Sequence, residues 1–506
     1  MKTCIHTLAV LVVLIAATPW AHGVSGCNSP NGSLFNLEPR TNAVVQVAQS
    51  VAFLPGRTSR GDDLVVAAGS DARGLSTDTT ATLIAPDAFY VQRSNTNCAA
   101  DFEGGEPGIS SPVDGFISDG TGTPTVVVDS KRDIFFIADT MFGTSTLDHG
   151  IGIVRTTAAT LSDTTACPNG TEGPTGACWP IGAVTNISDL NAFIFNPHID
   201  VDSRASGTGA GDVYTVVTQN NEQNTNPHIS LTACTNGLNC GSSISISGAD
   251  TGPGFAWVQV RPDGGITISY VTATAVKFVS CTPNGAPKAP TCSAPILAAA
   301  ENNSISGVLI GDVNMLDVFY PKHINRLEAD GKTVTTFLVY DRCDVPVVQA
   351  VASVCPKTDV VVTSSNDGGN TWSPIAKISG SKGQQFFGAV ANDDSTGTVN
   401  IAYYSTEKDP GQQQPQVFLA QILPGTTTVG GIHQLTTTFS DVQATPPLFF
   451  QFQPVAFGTR IGVAAAGTGK AGQSHVYVSF TANSVPGVYN GASSPDVNNH
   501  LALFQY

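Results

Sequence analysis

Short runs of Val, Ile, Phe and Tyr recur along this chain of 506 residues, and they come in pairs. The first run of a pair ends in Asp or Asn, and a polar turn follows. The second run alternates β-branched and aromatic residues with small or polar ones. That alternation is the two-residue period of a strand, and two such runs joined by a short polar turn make a hairpin. Pairs occupy residues 124–129 and 133–138, 197–202 and 212–217, 257–263 and 265–270, 323–330 and 334–340, and 388–393 and 398–404. A degenerate first pair spans 50–53 and 63–67, and a last pair spans 461–464 and 475–480. The spacing of about 60 to 75 residues is that of β-repeat arrays, whose units cannot bury their faces alone.

Each copy has room for four strands: the pair, a third run before a turn, and a fourth after it. Four-stranded units repeated radially are the blades of a propeller. The pattern predicts an all-β fold, a single β-propeller of four-stranded blades, with seven blades favoured and six as the alternative. Residues 499–506 form a third strand with no fourth behind it. Residues 42–48, ahead of the first unit, are expected to supply the missing strand and close the ring, which removes exposed sheet edges.

Composition supports this picture and narrows the partners. Glycine is abundant (51) and charged residues make up only 12%, which suits many turns, while 41% hydrophobic residues can build a core. The formal charge of −16, with 23 Lys and Arg, argues against nucleic acid or an anionic membrane as the main partner. A monomer is expected. No transmembrane segment is expected, because no apolar run reaches spanning length.

Met1-Lys2 and the apolar run 8–17 read as a secretory signal peptide over residues 1–23, leaving 24–506 as the propeller. The expected location is secreted and extracellular. Residues 24–27 also match a bacterial lipobox, which would instead anchor the chain through lipid on Cys27. Of 11 cysteines, Cys4 leaves with the leader, and eight fall into four local pairs: Cys167 with Cys178, Cys234 with Cys240, Cys281 with Cys292, and Cys343 with Cys355. Cys27 and Cys98 remain to pair with each other. An even count at local spacings reads as disulfides in an oxidising compartment, and a zinc site lacks its Cys-x-x-Cys. Three of the local pairs follow the third strand of their unit, and Cys343 with Cys355 falls between the second and third.

In the fifth unit the same turn holds Ser365, Asp367, Gly369, Thr371 and Trp372. Asp367 can bond the turn backbone, Gly368 and Gly369 supply positive φ, and Trp372 offers an apolar face. The order Ser-x-Asp-x-Gly-x-Thr-Trp resembles the Asp-box of sialidase-type β-propellers. That resemblance implies a propeller whose ligand site lies at one mouth of the central channel, with the Asp-box turn structural and on the opposite side. It also implies a search for the sialidase set: an arginine triad for a carboxylate, a Tyr with a supporting Glu, and an Asp acid/base. The segment Phe53-Leu54-Pro55 places Leu54 where the first arginine belongs, and no catalytic position carries over.

Two segments resemble each other: Phe195-Asn-Pro-His198-Ile-Asp200 and Phe319-Tyr-Pro-Lys-His323-Ile-Asn325. Both histidines are expected at innermost strands by the mouth, as metal ligands, acid/base groups or polar filling of a wet channel. Tyr320, Arg326, Asp341, Glu222 and Glu407 complete the catalytic shortlist, with Asp341 or Glu407 opposite Glu222 as a glycosidase pair or as ordinary solvated loop carboxylates. Trp257 and Arg342 are the substrate-binding candidates, Trp257 as a sugar-stacking ring or as core. Asn31, Asn169, Asn186 and Asn302 begin glycosylation triplets, and Arg60-Gly-Asp62 spells an integrin-type tripeptide. Neither a phosphate-binding glycine loop nor a dinucleotide fingerprint occurs, so the sequence names no cofactor and leaves metal undetermined. The reading is a glycan-acting or glycan-binding propeller, a glycosidase or lyase if an enzyme. The alternative is a non-enzymatic extracellular scaffold.

Overall fold

The computed structural model describes residues 34–36, 46–58, 61–71, 87–92, 102–104, 116–118, 124–143, 149–165, 167, 178–188, 192–221, 227–301, 307–310, 313–316, 320–343, 354–355, 357–437, 440–441, 449–450, 453–454, 460–470, 473–489 and 492–506. It is an all-β propeller of four-stranded blades. Six sheets are built of strands that follow one another in the chain, the fifth interrupted by Val354–Cys355 of a small inserted sheet. Their innermost strands are Gln46–Leu54, Thr125–Asp129, Ala192–Val201, Gly254–Val260, Lys322–Leu327 and Gln385–Asp393. The last sheet in the chain runs Gly462–Gly467, Ser474–Tyr489, Ala492–Gln505, and its outer edge pairs with Leu34–Asn36. Gln46–Leu54, which takes in part of 42–48, is the innermost strand of the first sheet and not the outer strand of the last. Its apolar run continues through Val51, Phe53 and Leu54, all buried, and an outer strand could not cover them.

Each innermost strand packs beside the next, and Gly462–Gly467 lies against Gln46–Leu54. Both faces of the middle strands are therefore covered, and Ile266–Thr272, Thr398–Ser405 and Gln416–Ile422 are buried at every residue. Every pair of adjacent sheets has its own core. Phe135, Leu161 and Trp179 fill the gap between the first and second sheets, and Phe386, Tyr404, Phe480 and Phe504 that between the sixth and last.

The turn of the fifth sheet is pinned by its own side chains. Asp367 accepts from Ser365 Oγ (2.8 Å), Thr371 N (3.0 Å) and Thr371 Oγ1 (2.6 Å), and Ser365 Oγ accepts from Gly369 N. Trp372 donates to the Gly369 carbonyl and packs on Phe278 of the fourth sheet. At the corresponding turns of the second, third and fourth sheets stand the disulfides Cys167–Cys178, Cys234–Cys240 and Cys281–Cys292. Cys343–Cys355 ties the second strand of the fifth sheet to an inserted small sheet. Cys27 and Cys98 lie outside the described residues. Asn186 is buried and bonded to Thr232, so a glycan has no access to it.

On the same face as these turns, side chains reach from each sheet to the next. Arg57 meets Asp133, and Arg132, gripped by Asp129, donates to the carbonyl of Arg204. Arg204, gripped by Asp202, donates to the Asp263 carbonyl, and Ser280 donates to that of Gly368. Arg326, gripped by Glu328, donates to the carbonyls of Gly397, Leu423 and Thr426. Tyr506 donates to Asp393, and His475 and Tyr477 of the last sheet hold Asp63 of the first.

Burial pushes the Asp63 carboxyl up, but His475 and Tyr477 outweigh it, and the group settles below the ordinary aspartate value. A carboxyl lowered by folding stabilises the protein above its unfolded pKa, and that contribution is lost as acid protonates it. Asp63→Asn is therefore expected to unfold at lower urea concentration than the parent at neutral pH. The gap should close on acidification, read as urea midpoint against pH, and a gap constant with pH would remove Asp63 as the linked group.

Candidate functional site

The face opposite the turns holds the loops that enter the innermost strands. There the strands of the first, third, fourth and sixth sheets each carry a β-bulge, at Val47/Ser50, Phe195/His198, Gly254/Trp257 and Phe386/Ala389. Within three of them a non-glycine residue has positive φ: Asn196 (54°), Phe255 (54°) and Phe387 (57°). Such backbone costs energy and persists only where neighbours hold it. The neighbours are visible. Thr218 accepts from Phe255 N, and Asp341 accepts from Phe387 N (2.7 Å) and Gly388 N (3.0 Å), in each case from the preceding sheet's second strand. A bulge frees backbone N–H groups from the ladder and re-aims side chains.

The re-aimed side chains surround a channel cavity of about 210 Å³. His198, Asp200, Trp257, Gln259, Lys322, Asn392 and Arg460 supply its polar and aromatic wall. Val51, Val126, Ala389, Ala391, Val463 and Ala464 add small apolar side chains to its lining. His198 stacks on Trp257 with ring centroids 3.5 Å apart, and its Nδ1 accepts from Val258 N, which leaves the proton on Nε2. Burial, then the charges of Arg460, His323 and Lys322, hold His198 well below its usual range, so it is neutral. Lys322 donates to the Ile461 carbonyl and lies 5.7 Å from the Trp257 ring. Burial and then Arg460 lower its ammonium to about 7, with Asp341 opposing. Arg460 donates to Asn196 and lies 4.3 Å over Tyr320, whose hydroxyl donates to the Ala256 carbonyl. Burial raises Asp200 to about 7, and Val260 N donates to it.

The expected residues separate accordingly. His198 and Trp257 line the cavity, and Tyr320 backs it. His323 does not face it, because strand alternation sends Lys322 and Ile324 inward to the channel and turns His323 between the fourth and fifth sheets. There it bonds Ser269 and Thr267, and burial lowers it to about 3. Arg326 stands at the opposite end of its strand, committed to the inter-sheet contacts above. Asp341 is spent on the bulge of the sixth sheet, and burial raises it to about 7. Arg342 pairs with Glu301 at the half-exposed rim, and Glu407 sits beside Lys408 and Ser379. Neither lines the cavity. Glu222 lies outside the described residues. His198 covers one face of Trp257, which leaves that face unable to take a sugar ring.

A Tyr–Glu pair does occur: Tyr340 donates to Glu301 at 2.8 Å. Burial and Glu301 raise the phenol, the reverse of what a tyrosine nucleophile needs, and it packs between the fourth and fifth sheets. Sequence reasoning passed over Lys322, Asp200 and Arg460. For the first two the period of two along the strand was the available signal. Arg460 had none, since its partner Asn196 is 264 residues away.

Sheet order and site together define a β-propeller with a polar, aromatic-lined channel. No protein-family model matches the chain, and no curated protein matches it. Among solved structures it is similar to a Hadza microbial sialidase (TM-score 0.42, 13% identity), with 71% of this chain matched to 63% of that one. It is also similar to an ulvan lyase described as a new family of polysaccharide lyase (0.43, 11%, 94% of this chain and 95% of that one). A third is an α-L-arabinofuranosidase from Fusarium graminearum (0.32, 9%, 61% and 92%). The chain resembles sialidase-like propellers and is not a close match to true sialidases; its fold rests on its own sheet order. Among the described residues no helix is long and apolar enough to cross a membrane, and no group of His, Cys, Asp and Glu is placed to hold a metal.

Proposed function

We propose that this is a secreted, glycan-directed β-propeller whose ligand enters the channel from the bulged face, and that it binds saccharides or cleaves them by elimination. The observation that carries the reading is the cavity wall itself: His198, Trp257, Lys322 and Arg460 converge at a channel end that a mere scaffold would fill with small apolar side chains. Asp200 is the one carboxylate lining it among the described residues, which weighs against a two-carboxylate glycosidase. The leader at 1–23, the Cys27–Cys98 pair and the monomeric state belong to this reading, supported by four disulfides typical of exported proteins. So does a count of seven blades closed by an N-terminal strand, supported by the pairing of Leu34–Asn36 with the last sheet and by the core between that sheet and the first. Ser365 to Trp372 serves in it as the Asp-box.

The test is a glycan array with the exported protein, followed by a screen of polysaccharides for new reducing ends and for the ultraviolet absorbance of unsaturated sugars. Retention of glycans that is lost in Trp257→Ala supports the reading. A protein that retains none and releases no product returns the scaffold alternative.

A further inference from the structure

We propose that Lys322 is a nucleophilic amine that captures the carbonyl carbon of a small hydroxy-aldehyde or hydroxy-ketone, an open-chain sugar, inside the channel cavity. The proposal goes beyond the glycan-directed reading and does not rest on it. Lys322 is the first residue of its innermost strand, lines the cavity and is 2% exposed. Its Nζ donates to the Ile461 carbonyl at 3.1 Å, and among the described residues it forms no ion pair and accepts no hydrogen bond. A buried ammonium with no carboxylate against it is costly. The neutral amine avoids that cost, keeping an N–H for Ile461 and a lone pair for an electrophile.

The surroundings favour the same state. Burial and then the charge of Arg460 hold the ammonium down to about 7, against Asp341, whose two oxygens already accept from Phe387 N and Gly388 N. A lysine dried by burial and set beside another cation is activated as a nucleophile at neutral pH. His198, which is neutral, and Asp200 are the other titratable groups lining the cavity. The lining also suits a ligand rich in hydroxyls. Thr125, 3% exposed, and Asn392 line the cavity, and each keeps a side-chain oxygen without a hydrogen-bond partner. Such oxygens are costly to bury, and a sugar hydroxyl satisfies them. A volume of about 210 Å³ admits a sugar of a few carbons and not a run of chain.

In the capture, the Nζ lone pair forms the C–N bond as the carbonyl π pair moves to oxygen. Both amine protons pass to that oxygen, which leaves as water while the C=N bond forms. One proton from solvent then gives the iminium, whose N–H returns to the Ile461 carbonyl. Neither oxidant nor reductant enters.

The experiment is reductive trapping of the full chain by glyceraldehyde and cyanoborohydride, followed by peptide mapping. Near pH 7, Lys322 is expected to be labelled roughly 10- to 100-fold faster than the exposed Lys332 and Lys382. About half of it is neutral there, against about 1 in 2500 of an ordinary lysine, and its lower basicity and burial offset part of that advantage. Its labelling should level off once the pH passes about 7, while that of the other two keeps rising. Equal rates at the three lysines, a parallel pH profile or no adduct on Lys322 would each overturn the nucleophile. The preference should vanish in urea-unfolded protein, and a preference that survives unfolding would overturn the role of the cavity. Propanal trapped as fast as glyceraldehyde would overturn the sugar and leave the nucleophile, and the faster of glyceraldehyde and dihydroxyacetone identifies the carbonyl. Thr125→Val, shown folded by thermal unfolding, should slow glyceraldehyde several-fold and leave propanal unchanged. An unchanged glyceraldehyde rate in that variant would remove Thr125 as the hydroxyl's partner.

Discussion

Arg326→Met is expected to destabilise the protein by about 4 kcal/mol while leaving ligand binding by the folded molecules unchanged. The side chain is 2% exposed, and its guanidinium serves Glu328 and three carbonyls belonging to the sixth sheet. Methionine replaces much of the stem and none of the donors. Glu328 then keeps a partly covered charge without its partner, and three acceptors lose their N–H. Denaturant unfolding reads the first effect and titration of the channel ligand the second. A parent-like unfolding midpoint would sink the clasp, and a selective loss of binding would return Arg326 to the catalytic shortlist.

Gly369→Ala should cost about 3 kcal/mol or more, while Gly368→Ala at the adjacent position should cost only about 1 kcal/mol. Both residues have positive φ, 76° at Gly368 and 93° at Gly369, so backbone strain is common to the pair. The surroundings differ. A Cβ at Gly369 would lie 2.4 Å from one ring carbon of Phe278 and 2.7 Å from another, whereas at Gly368 the nearest atom is 3.8 Å away. Phe278 cannot retreat, since Trp372 and His323 pack on its ring. Thermal or urea unfolding of the two variants side by side isolates the contact, and equal losses would show that backbone strain alone is at work. Asp367, held to about 2 by Thr371 above all, keeps the turn charged at any ordinary pH.

Features written within one hairpin were legible in the sequence. The paired runs became the first and second strands of their sheets, and the four local cysteine pairs formed. All of these depend on residues near one another in the chain, where strand period and turn chemistry act directly. The site was half legible. His198 and Trp257 reached the channel, but His323, matched to His198 by its neighbours, did not. His198 directly follows its proline, whereas Lys322 stands between Pro321 and His323, so Lys322 takes the channel-facing place and the one-residue offset turns His323 to the other face of the strand. Arg460 was beyond reach because its meaning depends on ring closure. Of residues 42–48, those described, 46–48, belong to an inner strand, because a single apolar run fits an inner or an outer strand equally and only the burial of Phe53 and Leu54 decides.

The relay of side chains around the turn face has one joint unlike the rest. Arg57 with Asp133, Arg132 with Arg204, Arg204 with Asp263, and Arg326 with Gly397 connect residues 76, 72, 59 and 71 apart, each within reach of a freshly made neighbour. Asp63 must wait for His475, 412 residues further on. During synthesis the first sheet therefore stands with Asp63 bonded to Gly56 N but not yet to His475 or Tyr477, and its inner strand has no companion on one side. Joining distant partners is entropically costly and slow. The ring consequently completes itself only after the C-terminal strands have left the ribosome, and until then the molecule is an open arc.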